Sequence, residues 1–225
     1  MINLVNINKK FGDLEILKNF SISFEENKIS CLFGPSGVGK TTIANIASKL
    51  ILVDSGEVTG TEKAVYSYVF QEPRLLEWYS VYDNIDFVLR DVYDEEKRVN
   101  IINNYINMVE LNGYDNYKPN ALSGGMCQRV SLARAFAYPS NFLILDEPFK
   151  GLDMKLKNEM ILLFKKLWSE SKRTVLFITH DVDEAVTLSD SIYIIKNKPV
   201  EIMEKIIMNN KDKEETKMLL ISYYS

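Results

Sequence analysis

Gly34-Pro35-Ser36-Gly37-Val38-Gly39-Lys40-Thr41 stands directly after the apolar run Ile29–Phe33. It precedes a stretch that carries Ile43, Ile46 and Ala47 at helical spacing. A buried strand, a glycine-rich turn and a helix start are therefore read in that order. Glycines let the backbone turn so that successive N–H groups face one anion, and the helix N-terminus adds partial positive charge. In that setting Lys40 is a mobile cation for the β- and γ-phosphates of a nucleotide, and Thr41 offers a hydroxyl to Mg²⁺. The bland reading is a flexible glycine turn, but such a turn needs neither the strand before it nor the helix after it.

Reading outward, Leu4–Ile7 and Ser21–Phe24 alternate apolar and polar residues as half-buried strands do, and Val65–Phe70 is β-rich. Further on, Phe142–Leu145, Val175–Ile178 and Ile192–Ile195 read as strands. Ser123–Ala137, Met154–Trp168 and Val182–Leu188 read as helices, the second with Leu156, Met160, Leu163 and Leu167 along one face. Strands alternating with helices predict a parallel α/β core. The stretch from Gln71 to Ala121 differs. Ser80 and Asp83 form a capping-box pattern opening a helix with Ile85 and Leu89 inside. Asp94–Glu110 carries Val99, Ile102, Ile106 and Val109 at helical spacing. A mostly helical insert is expected over roughly residues 72–130, inside one domain spanning 1–225. The charged tail Asn209–Lys217 is expected to be solvated.

The composition fits that outline. The chain has 225 residues, 46% hydrophobic and 26% charged, enough for one large domain with an ordinary core. A formal net charge of −4 argues against nucleic-acid binding through bulk positive charge, and no such partner is expected. The two cysteines, Cys31 and Cys127, lie far apart and match no zinc or disulfide spacing, so reduced thiols in a cytosolic protein are expected. Met1–Phe11 lacks a signal-peptide layout, and no apolar run approaches a membrane span. Any membrane role must come through docking to a partner.

Phe142–Leu145 runs into Asp146-Glu147-Pro148. Two acids at the end of a buried strand are costly unless something positive binds there. In a parallel sheet, ligands sit beyond the carboxyl ends of the strands, where the strand before Gly34 also ends. Asp146 is then the candidate for Mg²⁺, and Glu147 for polarising a water beside the γ-phosphate. The alternative is a pair of solvated acids before a proline turn.

Leu122-Ser123-Gly124-Gly125-Met126-Cys127-Gln128-Arg129 resembles the signature motif of ABC ATPases. The order of phosphate loop, Gln71, signature, acid pair and His180 fits that family over nearly the whole chain. The resemblance implies an α/β P-loop NTPase core of the ABC ATPase type, with an N-terminal antiparallel β portion and a helical subdomain. It implies ATP and Mg²⁺ as ligands. Nucleotide contacts run through Gly34, Pro35, Ser36, Gly37, Val38, Gly39, Lys40, Thr41 and Thr42, with metal contacts from Thr41, Gln71 and Asp146. Ser123 opens a helix and, with Gly124 and Gly125, offers a second anion site or simply a capped helix start. The family reading gives Ser123, Gly124 and Gly125 to the ATP of a partner subunit, in a head-to-tail homodimer. Gln71 resembles the glutamine that contacts Mg²⁺ or the attacking water. His180, the one histidine, resembles the switch residue at the γ-phosphate. Asp153 resembles the aspartate of the loop crossing the dimer interface. Phe11 stands where the family puts a ring on adenine, although an ordinary buried ring is the competing reading. Asn197-Lys198-Pro199 lacks the acid of a guanine motif, since Val200 follows, and reads as a surface turn.

Val69-Phe70-Gln71-Glu72-Pro73-Arg74-Leu75-Leu76-Glu77-Trp78 resembles the nitrate/sulfonate/taurine importer group, which includes carriers of thiamine precursors. Departures are Glu77 for proline, Cys127 for a basic residue and Lys150 for glycine, none expected to touch the nucleotide chemistry. The resemblance implies a subunit at the cytoplasmic face of the membrane, bound to integral permease subunits and served indirectly by an extracytoplasmic solute-binding protein. Arg74, Leu75, Leu76 and Trp78 either form a groove for a permease helix or pack the insert. A maltose-type regulatory domain is not expected after His180. Chromosome-type relatives carry a long coiled coil in the insert and ribosome types carry two cassettes, and neither feature is seen. A cell-division role and an exporter role stay open.

Overall fold

The structure is a computed structural model that describes residues 1–209 and 211–223. The alternation near the N-terminus builds a hairpin. Strands β1 (Ile2–Phe11) and β2 (Leu14–Phe24) pair antiparallel around Gly12-Asp13, burying Ile2, Leu4, Ile7, Leu17, Phe20 and Phe24. The hairpin gains a third strand, β4 (Ser55–Thr59), on the free edge of β1.

The second sheet has six strands in the order β5-β6-β7-β3-β8-β9. Strands β3 (Ile29–Phe33), β5 (Tyr66–Val69), β6 (Phe142–Asp146), β7 (Thr174–Thr179) and β8 (Ser191–Lys196) run parallel. Strand β9 (Glu201–Ile207) returns antiparallel on β8. β3 and β7 are buried along their whole length, which explains their unbroken apolar runs. Their side chains divide by the two-residue period of a strand. Leu32, Leu176 and Ile178 face the antiparallel sheet and helix α1 (Lys40–Ala47). Cys31, Phe33, Val175 and Phe177 face the helical side, made by α4 (Gly124–Ala137), α5 (Met154–Glu170) and α6 (Val182–Leu188). Burial pushes the Cys31 thiol up to about 12, as befits an inert core residue. Because β7 lies between β3 and β6, the chain after Phe33, Asp146 and Thr179 emerges at one edge.

Between β5 and β6 lie α2 (Val81–Asp86), α3 (Glu95–Met108) and α4. The predicted capping box is present. Asp83 N–H donates to Ser80 Oγ at 3.1 Å, and Ser80 N–H donates to the Asp83 carboxylate at 3.2 Å. Asp94 caps α3 through the Lys97 N–H at 2.9 Å. Helix α2 is shorter than expected. It stops at Asp86, and Leu89 is buried in the turns that follow. Val99, at the same helical spacing near the start of α3, is 36% exposed, whereas Ile102 and Ile106 are buried.

Among the described residues the stretch 209–217 is mostly exposed, as expected, apart from buried Thr216, but the tail also forms an unforeseen helix. Helix α7 (Lys213–Ser222) buries Leu220 and Thr216, with Asp212 accepting from the N–H groups of Glu214 and Glu215. Its charged residues hide a narrow apolar stripe. Asn210, within the stretch expected to be solvated, lies outside the described residues. Strands β4 and β9 were equally unforeseen, because their pairing partners rather than their own apolar content hold them. Asn197-Lys198-Pro199 forms the exposed turn between β8 and β9, with a cis Lys198–Pro199 bond.

Candidate active site

The edge where β3, β6 and β7 end carries a cleft of about 550 Å³. Its walls include Lys40, Thr41, Thr42, Gln71, Asp146 and Glu147, which the chain draws from three separate βα junctions. The glycines of the loop have definite work. Gly37 and Gly39 take φ of 76° and 126°, where a side chain is strained. A Cβ on Gly39 would also fall 2.8 Å from Val200 Cγ2 and 2.9 Å from Ile16 Cγ2. Gly34 and Val38 are buried, and Ser36 is exposed at the cleft.

The loop closes on its own lysine. Lys40 is 4% exposed, and its ammonium donates to the carbonyls of Gly34 at 2.6 Å and Pro35 at 2.9 Å. Burial lowers its pKa, and the nearby Glu147 and Asp146 carboxylates offset part of that effect. Thr41 Oγ1 donates to Asp146 Oδ2 at 2.9 Å, and the Tyr68 hydroxyl donates to the same oxygen at 3.1 Å. Burial and the Asp146 charge raise the Tyr68 pKa far above its usual range, so the hydroxyl stays a donor.

Glu147 is 8% exposed and adopts φ of 48°. Its Oε1 lies 3.3 Å from His180 Nδ1 and 3.8 Å from Lys40 Nζ, and its Oε2 lies 2.6 Å from Lys150 Nζ. Burial alone would raise the Glu147 pKa, but Lys150, His180 and Lys40 together hold it below the usual range. His180 lines a recess of about 90 Å³ beside the main cleft, together with Glu147 and Lys150. Lys150, expected to stay clear of the nucleotide chemistry, lines the cleft and pairs with Glu147. Its three-residue spacing from Glu147, across the turn after β6, returns the ammonium to that carboxylate.

Other predicted residues lie apart from this cleft. Ser123 and Gly124 are exposed, and Gly125 packs beneath Leu156. Ser123 caps α4, its Oγ accepting from Met126 N–H at 3.3 Å. Asp153 is also exposed and caps α5 through Leu156 N–H at 3.0 Å. Phe11 is 48% exposed outside the cleft lining, with Lys9 Nζ 5.4 Å from its ring.

Several supporting contacts escaped the sequence reading. Tyr68 stacks on Phe70 at 4.0 Å, and the Arg74 guanidinium lies 4.0 Å over Phe70. Gln128 Nε2 donates to the Pro148 carbonyl at 2.5 Å, while Arg134 donates to the carbonyls of Pro73 and Arg74 at 3.1 Å each. Helix α4 thus holds the segments on two sides of the cleft. Of these contacts only the Tyr68–Phe70 stack had a signal in the sequence, the two-residue spacing of the rings at the end of β5.

Thr41, Asp146 and Gln71 offer only oxygen donors of hard character. Among the described residues no group of three or more His, Cys, Asp or Glu side chains is arranged to hold a metal. That set fits Mg²⁺, which takes one or two protein oxygens and completes its shell with phosphates and water.

Comparison with known proteins agrees with this geometry. Residues 17–150 match the ABC transporter family. The chain is 36% identical over 211 residues to an aliphatic sulfonates import ATP-binding protein, SsuB, of Bacillus thuringiensis, covering 90% of this chain and 82% of that one. It is 38% identical to SsuB of Zymomonas mobilis, covering 91% and 86%. Among solved structures, a dimeric post-hydrolysis state of the ATP-binding cassette MJ0796 bound to ADP and Pi superposes with a TM-score of 0.79 at 30% identity, covering 94% of this chain and all of that one. The cbiO1 protein of Clostridium perfringens shares the fold with a TM-score of 0.84 at 21% identity, covering 99% and 93%. With a phosphate loop, an acid pair and a capped signature helix on this α/β frame, the chain belongs to the ABC transporter family as an ATP-binding subunit with ATPase activity.

Proposed function

We propose that this cassette powers an importer for a small solute of the sulfonate, nitrate, taurine or thiamine-precursor kind, and that it works as a head-to-tail ATP sandwich dimer. The sulfonate import proteins among its relatives support the direction and the solute class. The observation that carries the sandwich is the placement of Ser123. It is exposed at the start of a 14-residue helix and absent from the cleft that holds Lys40, Asp146 and Glu147. A second copy turned head to tail would bring that helix start to the open side of the nucleotide.

In this reading the backbone N–H groups around residues 34–42 and the Lys40 ammonium bind the phosphates. Thr41, Asp146 and Gln71 would hold Mg²⁺, which neutralises charge on the phosphate oxygens. Glu147 accepts a proton from the attacking water as its oxygen bonds to the γ-phosphorus. The bond from that phosphorus to the ADP oxygen breaks, leaving ADP and phosphate. His180 orients the γ-phosphate from the neighbouring recess, Asp153 lies at the dimer interface, and Phe11 meets the adenine.

Residues 72–130 act as a helical subdomain that conveys closure to integral permease subunits, with the cassette at the cytoplasmic face and a solute-binding protein on the other side. Leu75 packs against the core, whereas Trp78 and Phe87 are 68% and 49% exposed beside Tyr79. The apolar segment therefore divides, Leu75 packing the insert and the aromatic rings remaining for a partner.

Glu147→Gln is expected to bind ATP normally and to lose turnover by about 100-fold or more, the scale of a general base. Turnover at the wild-type rate in a phosphate-release assay would reject the assignment.

A further inference from the structure

We propose that Lys150 is a latch on Glu147, a positioning residue that keeps the carboxylate occupied until the closing of the site draws the lysine away. The inference rests on the reading of Glu147 as the base. It starts from the state of the two carboxylate oxygens. Oε1 faces His180 Nδ1 at 3.3 Å and Lys40 Nζ at 3.8 Å. Oε2 is closed to solvent and accepts no hydrogen bond beyond its 2.6 Å contact with the Lys150 ammonium. An oxygen in that position cannot accept a proton from water. Release of the Lys150 contact would therefore add Oε2 to Oε1 as a proton acceptor.

Lys150 is the contact able to leave. Lys40 is held by two loop carbonyls and its side chain is 5% exposed. The Lys150 side chain is 40% exposed, and its ammonium has no second acidic partner among the described residues. It also reaches both the 550 Å³ cleft and the His180 recess, so a short swing of its stem uncovers Oε2. Lysine suits this task, because its charge sits on a flexible stem and makes single rather than forked contacts. The backbone supports the geometry. The Lys150 N–H donates to the Glu147 carbonyl at 3.2 Å, closing the turn that sets the two side chains face to face.

The test uses full-length cassette carrying Lys150→Met, which keeps the stem and removes the charge, with Lys150→Arg as the conservative variant. Lys150→Met is expected to raise the basal kcat for ATP at least threefold with KM within about twofold, while Lys150→Arg keeps the low rate. In a Glu147→Gln background, Lys150→Met is expected to bring no gain. A second readout needs no nucleotide. The melting-temperature changes of Lys150→Met and Glu147→Gln should be non-additive in the double variant, as for directly interacting groups. An unchanged or lower kcat in Lys150→Met, or additive melting shifts, overturns the latch. Failure of the underlying reading looks different, namely a Glu147→Gln single variant that hydrolyses ATP at the wild-type rate.

Discussion

In the proposed reaction Lys40 is a side chain prepared in advance for an anion. Its ammonium already sits among carbonyl oxygens inside a closed loop, so little side-chain freedom is left to lose on binding. Burial lowers its pKa, and the two nearby carboxylates offset part of that effect. Removing it leaves the loop carbonyls without their donor and the phosphates without a buried cation. A charge-assisted hydrogen bond contributes about 1.5–3 kcal/mol, so Lys40→Ala is expected to weaken ATP binding by roughly 10- to 100-fold in titration calorimetry. Unchanged affinity would separate Lys40 from the phosphates. Tyr68 belongs to the same logic, since its hydroxyl steadies the Asp146 oxygen that Thr41 also contacts.

Among the elements, the helical arm depends on one buried acid. Asp86 ends α2 and is 8% exposed, accepting from Arg90 Nε at 2.7 Å and from Arg98 Nε of α3 at 2.8 Å. Burial would raise its pKa, but the two guanidinium groups bring it below the ordinary aspartate value. A carboxylate whose folded pKa is depressed adds stability above its unfolded pKa, near 3.8, and loses it as pH falls through the folded value. Asp86→Asn is therefore expected to cost about 2 kcal/mol at neutral pH, a fall of roughly 4–8 °C in melting temperature for a chain of this size. Thermal scans should show the gap to wild type narrowing in strong acid, and a gap independent of pH would refute the charge argument. Helix α4 plays a different part, bracing both flanks of the cleft. Gln128 near one end holds Pro148, and Arg134 near the other holds Pro73 and Arg74. Movement of this helix is thereby tied mechanically to the Gln71 segment and to the acid pair.

For the whole molecule, the decisive feature is that the cleft is open and the signature helix lies outside it. Among the described residues the Ser123 side chain is exposed and its hydrogen bond is the cap of its own helix, so a bulky residue there is expected to be tolerated by the monomer. In the Glu147→Gln background, ATP is expected to shift the cassette to a dimer in gel filtration. Adding Ser123→Arg should return it to a monomer while leaving ATP affinity within a few-fold. A Ser123→Arg protein that still dimerises with ATP would exclude this helix from the interface.

What the sequence determined by itself was the local order of chemistry. The phosphate loop between β3 and α1, the Ser80 capping box, the acid pair ending β6 and the apolar face of α5 are written in neighbouring residues, and short-range backbone rules suffice to read them. Tertiary structure decided which distant pieces meet. It inserted β7 between β3 and β6, bringing His180 beside Glu147, and it paired β4 and β9 along edges that alone make them strands. It turned a charged tail into α7 by supplying a place for Leu220. It also set Lys150 on the Glu147 carboxylate and Tyr68 on Asp146. The physical reason is that periodicity and turn chemistry act over a few residues, whereas ion pairs and strand edges depend on the packing of the entire chain.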